Sequence, residues 1–233
     1  MTKRAFAAAV AASLLLATSA ASGAVINGSK ADEVLGGTHR ADVIKGKGGH
    51  DLIGGNNGND RISGGPGNDT LHGQRGDDVV RGGPGMDFLI EYDPLGDPFI
   101  VLRGKWALPR GGDADLPGDD KLFGGAGHDY LYGSNGRDVL EGGAGRDYLS
   151  GGRGADVLRG GAGDDRLVGW PGKDGLFGGD GDDRLDADDG KPGDKVDCGA
   201  GQDDVAADPG DEVAGNCESV SFRAPGARRS GAR

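Results

Sequence analysis

Gly124-Gly125-Ala126-Gly127-His128-Asp129-Tyr130-Leu131-Tyr132 decides the fold, because its pattern recurs along the chain at a fixed interval of nine. The aspartate returns at Asp42, Asp51, Asp60, Asp69, Asp78 and Asp87, then at Asp120, Asp129, Asp138, Asp147, Asp156, Asp165, Asp174 and Asp183. Two residues after each stands an aliphatic side chain, from Ile44 and Ile53 through Leu122 to Leu185. Glycine stands two residues before thirteen of the fourteen, Arg40 being the exception, and five residues before thirteen, Asp115 being the exception. A strict period this short marks a solenoid, in which each repeat is a turn that only its neighbours can bury.

Glycine at two fixed positions in nine and the lack of a 3.6-residue apolar period exclude helix. Each unit reads as a six-residue turn followed by a three-residue strand. The middle strand residue points inward and its two neighbours point outward. Two units complete one coil, so residues two periods apart stack in one sheet at about 4.8 Å. The fold class is all-β, a thin roll with one row of aliphatics per sheet.

Working outward gives six zones. Residues 1–24 read as a secretory signal: Lys3 and Arg4 start it, Ala5 to Ala17 with Leu14, Leu15 and Leu16 form its apolar stretch, and cleavage fits after Ala20 or Ala24. That stretch is too short and alanine-rich for a membrane span. A first array occupies 25–90 and starts with an irregular unit at Asp32, ten residues before Asp42. Residues 91–117 interrupt the period with Phe99-Ile100-Val101-Leu102 and Trp106, read as an inserted loop or hairpin; a linker between two separate solenoids is the second reading, though a linker is usually less apolar. The second array occupies 118–186. Residues 187–222 form a degenerate cap, and 223–233 a basic tail expected to be disordered. These zones leave no stretch for a second domain.

In an exported chain the isolated pair Cys198 and Cys217 predicts one disulfide, because no histidine stands near to complete a zinc site. All 38 acidic residues lie within the span 25–222, which holds only part of the 26 basic ones. That excess argues against nucleic acid or an anionic membrane surface as partner and suits a cation.

The unit Gly-Gly-x-Gly-x-Asp-x-aliphatic-x resembles the repeat of the RTX, or hemolysin-type calcium-binding, family, over residues 37–90 and 118–186. The resemblance implies a right-handed parallel β-roll. It also implies several calcium ions between successive turns, held by the fourteen aspartates and by carbonyls of the glycine-rich turns. The glycines two before the aspartate are the named candidates: Gly49, Gly58, Gly67, Gly76, Gly127, Gly136, Gly145, Gly154, Gly163 and Gly172. Elementary coordination chemistry agrees. Calcium takes six to eight oxygens, so one aspartate per turn is not enough, and carbonyls must turn inward and be shared between turns. Zinc or copper would want His or Cys. The second glycine of the turn is replaced by Lys47, Asn56, Gln74, Ser134 or Trp170 in some units. Sites at the array ends and beside the interruption are expected to be weaker.

No catalytic constellation stands out. His39, His50, His72 and His128 read as solvent-facing fillers, and no Gly-rich string precedes Lys-Ser or Lys-Thr. Tyr130 and Tyr148 stack in register with Tyr132 beside them, and Phe123 and Phe177 lie on the opposite sheet. Stacked tyrosines stabilise neighbouring strands; a surface for a cell-surface glycan or a protein partner is the alternative. The sequence therefore predicts a secreted, non-catalytic calcium-binding repeat protein, with a calcium-dependent adhesin or glycan binder as the second reading. A secreted hydrolase comes third, because an interruption holding Trp106 and Asp93 is too small for a pocket.

Overall fold

The computed structural model of the chain describes residues 14–16, 23–90 and 118–222. Successive strands alternate between two parallel sheets of eleven and ten strands, and among the described residues there is no helix. The register is that of a two-unit coil: Leu122 pairs with Leu140, and Leu140 with Leu158. Between the sheets runs a core one residue deep on each side. It runs from Ile44 and Ile53 through Leu122 and Leu131 to Leu185, all at 1% exposure or less. The residues flanking the inward one stay half-buried or exposed in most strands, as in Lys121–Ala126, with Ser150 and Val168 among the buried exceptions.

Many strands run longer than three residues, for example Lys121–Ala126 and Tyr130–Gly136. The turns stack backbone on backbone at the same spacing as the strands, so the ladder continues past the bend to Gly125↔Gly143 and Ala126↔Ala144. The stack also crosses the break in the period. Val79–Pro84 pairs with Lys121–Ala126, and Phe88–Ile90 with Tyr130–Gly136. The interruption itself, 91–117, lies outside the described residues, as do most of 1–24 and the tail 223–233.

Three findings differ from the sequence reading. At the N-terminal end Glu33, not Asp32, is in register: its N–H donates to Asp51 Oδ1 at 2.9 Å, and Leu35 enters the core opposite Ile53. Side-chain parity explains this, because choosing Leu35 as the inward residue fixes Glu33 two positions earlier. One rung further out, Val25–Asn27 pairs with Val43–Lys45, and Leu14–Leu16 pairs with Val34–Gly36. At the other end the repeat continues through Asp194 and Asp203, with Val196 and Val205 in the core. Cys198 and Cys217 are bridged there, joining the strand Lys195–Ala200 to the last loop. No helix among the described residues is long and apolar enough to cross a membrane.

Candidate metal centre

The fourteen aspartates form two rows, one at each edge of the roll. Asp42, Asp60, Asp78, Asp120, Asp138, Asp156 and Asp174 share one edge; Asp51, Asp69, Asp87, Asp129, Asp147, Asp165 and Asp183 share the other. All are at most 3% exposed. Each follows a turn and precedes a strand, so its backbone is held by the sheet while its carboxylate projects along the stack. One oxygen is used within the row. The N–H of Asp42 donates to Asp60 Oδ1 at 2.7 Å, that of Asp60 to Asp78 Oδ1, and that of Asp138 to Asp156 Oδ1. The link spans the interruption too, from Asp78 N–H to Asp120 Oδ1 and from Asp87 N–H to Asp129 Oδ1, both at 2.7 Å.

The second oxygen is orphaned. Oδ2 of Asp51, Asp60, Asp69, Asp78, Asp87, Asp129, Asp138, Asp147, Asp156, Asp165, Asp174, Asp183, Asp194 and Asp203 is buried without a hydrogen-bond partner. A buried unpaired polar atom costs about 1–3 kcal/mol, more if charged. A proton or a cation must therefore offset a repeated penalty.

The backbone beside these oxygens has to be glycine. A Cβ placed on Gly124 would lie 2.5 Å from Asp129 Oδ2 and 2.6 Å from the Gly142 carbonyl oxygen. On Gly133 it would lie 2.6 Å from Asp138 Oδ2 and 2.7 Å from the Gly151 carbonyl. A side chain at either glycine would collide with both oxygens, so glycine is what allows a carboxylate and the carbonyl of the next rung to lie on the same side of the turn; calcium, which takes six to eight oxygens, would draw on both kinds. Among the described residues no three Asp, Glu, His or Cys side chains converge on one point. Carbonyls must therefore complete any coordination shell.

The electrostatics point the same way. Burial is the leading cause that pushes Asp60, Asp138 and Asp174 up to about 8, with repulsion between aspartates in the row adding to it. Asp120, Asp129 and Asp165 rise to about 7, and Asp51, Asp87, Asp156, Asp183 and Asp194 to about 6, again chiefly by burial. Rows of desolvated carboxylates with this much resistance to ionisation are sites that lack their counter-charge.

Segments 28–62, 36–71, 54–89, 116–149, 141–176, 150–185 and 171–191 match the model of the RTX calcium-binding nonapeptide repeat, together more than half of the chain. The chain belongs to the RTX repeat family. RTX repeats bind several Ca²⁺ ions between turns. No curated protein matches the chain.

Within the RTX units the glycines divide by role. Those two before the aspartate face the Oδ1 side: a Cβ on Gly136 or Gly154 would lie 3.0 Å from Oδ1 of Asp138 or Asp156, while also striking the carbonyl of the preceding rung. The orphaned Oδ2 faces the glycines five before, such as Gly124, Gly133 and Gly151, and the next rung's carbonyl. The sequence carries the signal for them, since that position is glycine thirteen times, but not the reason, which is space. The position four before the aspartate is different again. Lys47, Asn56, Gln74, Ser134 and Trp170 all stand there with φ between 68° and 82°, so it demands a left-handed backbone and tolerates a side chain.

Ends of the rows are closed by other groups. Asp42 Oδ2 accepts the N–H and hydroxyl of Thr38, which stands where most units have glycine or a left-handed substitute. At the far end the N–H of Asp194 donates to Asp211 Oδ1 and that of Asp203 to Glu218 Oε2, each at 3.1 Å. His39, His50 and His128 are exposed as expected and His72 is half-buried; His39 Nδ1 lies 3.0 Å from Asn57 Nδ2, and two others link the backbone of neighbouring turns. Asn68 N–H donates to His50 Nδ1 at 2.8 Å, and Arg146 N–H to His128 Nδ1 at 2.7 Å. They belong to an outer ladder formed by the residue just before each aspartate, with Asn59, Asn68, Asp77 and Asp119 in the same role. It runs opposite to the inner one, since here each N–H donates to the rung before, so neighbouring turns are clamped in both directions.

Proposed function

We propose that this RTX protein is exported, has no catalytic activity, and folds as it takes up calcium between turns, serving as a structural or surface module. The observation that carries the reading is the series of buried, partnerless Oδ2 atoms, eight of which lie against the same glycine as a carbonyl of the next rung. The ligands assigned are the fourteen row aspartates, joined by Asp194 and Asp203, with turn carbonyls completing each shell. Glycines two before the aspartate line the Oδ1 side of each site, and those five before line the Oδ2 side. Calcium, when bound, supplies the charge that the rows lack. The roll is one aliphatic layer deep per sheet, too thin to order the backbone unaided, so ion binding and folding are one event.

Export is supported by the Lys3-Arg4 start and apolar Ala5–Ala17 run, and by a disulfide, which persists in oxidising compartments. Extracellular calcium modules work at about 10⁻⁴–10⁻³ M, so export itself would switch folding on. The tyrosine row supports strand stabilisation over a glycan platform. Phe88 lies on Tyr130 with centroids 4.7 Å apart and planes 4° from parallel, so these ring faces are spent on each other. The deciding experiment is circular dichroism during calcium titration, with magnesium as control. Calcium alone should produce the β signal; chelated protein that keeps full signal and an unchanged melting temperature overturns the reading. N-terminal sequencing of exported protein should begin after Ala20 or Ala24.

A further inference from the structure

The excess of acid in the sequence is not an excess on the surface. In residues 34–90 and 118–123 the row aspartates are buried, and the exposed charges are Arg40, Lys45, Lys47, Arg61, Arg75, Arg81 and Lys121 against only Asp77 and Asp119. Four of the bases lie on one face of one sheet. Lys45, Arg61, Arg81 and Lys121 sit on the consecutive neighbours Val43–Lys45, Arg61–Ser63, Val79–Pro84 and Lys121–Ala126. They alternate between the third and first outward positions, so they form a zigzag strip with a rung every ~4.8 Å. The outward residues between them are Val43, Ser63, Val79 and Phe123, with no acid among them; Asn27 and Glu141 bound the strip. Among the described residues none of the four bases is in an ion pair. Arg81 is held over the Phe123 ring, 4.9 Å from its centroid.

We propose that this strip binds a linear acidic polysaccharide, one carrying regularly spaced carboxylate or sulfate groups, laid along the roll axis, and that calcium uncovers the site. The proposal rests on the calcium reading above. Each base follows a row aspartate by one or three residues: Asp60 and Arg61, Asp120 and Lys121, Asp42 and Lys45, Asp78 and Arg81. Without calcium the rungs are not stacked and the four bases are not aligned; with calcium the roll forms, the row carboxylates are matched by the ions, and the strip becomes the dominant local potential. The geometry favours an extended sugar polymer over nucleic acid. The face is flat and narrow, offering no groove to follow a duplex, and its one aromatic ring is already covered by Arg81, leaving no free stacking platform for bases.

The test uses the full exported chain with dextran sulfate as probe, neutral dextran as control, and duplex DNA as a competing polyanion, each with calcium or chelator. Calcium-loaded protein should bind dextran sulfate with an affinity that falls as salt rises, and ignore neutral dextran. Lys45→Glu with Arg81→Glu should weaken binding at least about tenfold, whereas Arg153→Glu with Arg159→Glu in the second array should change it less than about twofold. Circular dichroism with calcium on each variant keeps the fold visible. Equal binding of neutral dextran, tighter binding of DNA, or equal losses in both variant pairs overturns the assignment, as does no binding by protein that calcium has folded. If calcium fails to fold the chain, the earlier reading fails instead; if dextran sulfate binds equally with chelator, the calcium dependence alone falls.

Discussion

The first and second arrays share an interior and differ in their surfaces. Inside, both stack buried aspartates over a single aliphatic row, and the ladders join without a change of register. Outside, the first array, 25–90, presents seven bases against three exposed or half-buried acids, whereas residues 118–222 set ten bases against thirteen such acids. All three ion pairs among the described residues involve an arginine of the second array, Arg137–Asp119, Arg146–Asp164 and Arg184–Asp204. The turns differ as well. Lys47, Asn56 and Gln74 occupy the left-handed position in three of the first array's six units, against Ser134 and Trp170 in the second. The repeat fixes what lies between the sheets and leaves the exterior to vary; surface charge and turn strain are where one array can acquire a role the other lacks.

Calcium withdrawal is the largest perturbation, and it should separate the arrays. Strained turns and unpaired like charges burden the first, while ion pairs and the Cys198–Cys217 bridge support the second. Hydrogen exchange at limiting calcium should therefore show amides of 118–207 protected at calcium concentrations lower by roughly threefold or more than those of 34–90, because a difference of about 0.7 kcal/mol is enough. Protection that appears at one concentration throughout would mean that the shared ladder makes a single cooperative unit, and the contrast would have no energetic content.

Acid should substitute in part for calcium. Unfolded carboxyls titrate near about 3.9, whereas burial holds Asp60, Asp138 and Asp174 near about 8 and Asp120, Asp129 and Asp165 near about 7 in the roll. Between those limits the folded chain binds more protons than the unfolded one, so stability of the calcium-free roll is present below about 4 and is lost as pH rises through 6 to 8. Chelated protein should show more β signal at pH 4.5 than at pH 8.5, and calcium binding near pH 7 should release protons, measurable by calorimetry in buffers of different ionisation heat. Equal signals at both pH values would mean that neutral buried carboxyls do not sustain the stack.

Neighbouring glycines should respond differently to one methyl group. A Cβ on Gly142 would enter the cradle formed with Asp147 Oδ2 and the Gly160 carbonyl, 2.7 Å from the latter. Gly142→Ala should lose one ion by native mass spectrometry and cost about 2–4 kcal/mol, the range for burying an uncompensated group. Gly143, with φ 115°, stands where other units carry Ser134 or Gln74. A Cβ on Gly143 would lie 2.0 Å from the Gly125 carbonyl oxygen, so Gly143→Ala fits only by turning towards the φ of Ser134 and Gln74; it should cost at least about 1–2 kcal/mol of left-handed strain but keep the ion count. Identical calcium stoichiometry in the two variants would remove the assignment of the cradle.

Much of this was legible before any coordinates. The nine-residue spacing specified the sheets, the inward aliphatics and the buried rows, because side-chain parity and glycine placement leave no other way to stack the units. The bridge Cys198–Cys217 followed from composition and compartment. What escaped depends on facts that a pattern does not carry. Asp194 stands eleven residues after Asp183, so a strict count stops two units early even though Val196 and Val205 keep the core row filled. Residue type favours Asp32 at the first rung, but parity from Leu35 puts Glu33 there. The outer ladder through His50 and His128 needs the direction of turn N–H groups, and the basic strip needs burial, since summed charge counts hidden and exposed carboxylates alike.

The smallest expected effect tests whether the first array's turns are strained at all. Gln74 adopts φ 78°, a region that costs an ordinary side chain about 1–2 kcal/mol. Glycine would remove that cost but adds about 0.5–1 kcal/mol of unfolded-chain entropy. Gln74→Gly should therefore stabilise the calcium-loaded first array by roughly 0.5–1 kcal/mol. Asn56→Gly should gain less, because asparagine already tolerates this conformation. The readout is hydrogen exchange of 52–90, where the gain would narrow the gap to the second array. A loss of protection on Gln74→Gly would show that the side chain contributes more through its contacts than its backbone costs, and the lower stability of the first array would then have to come from its unpaired bases.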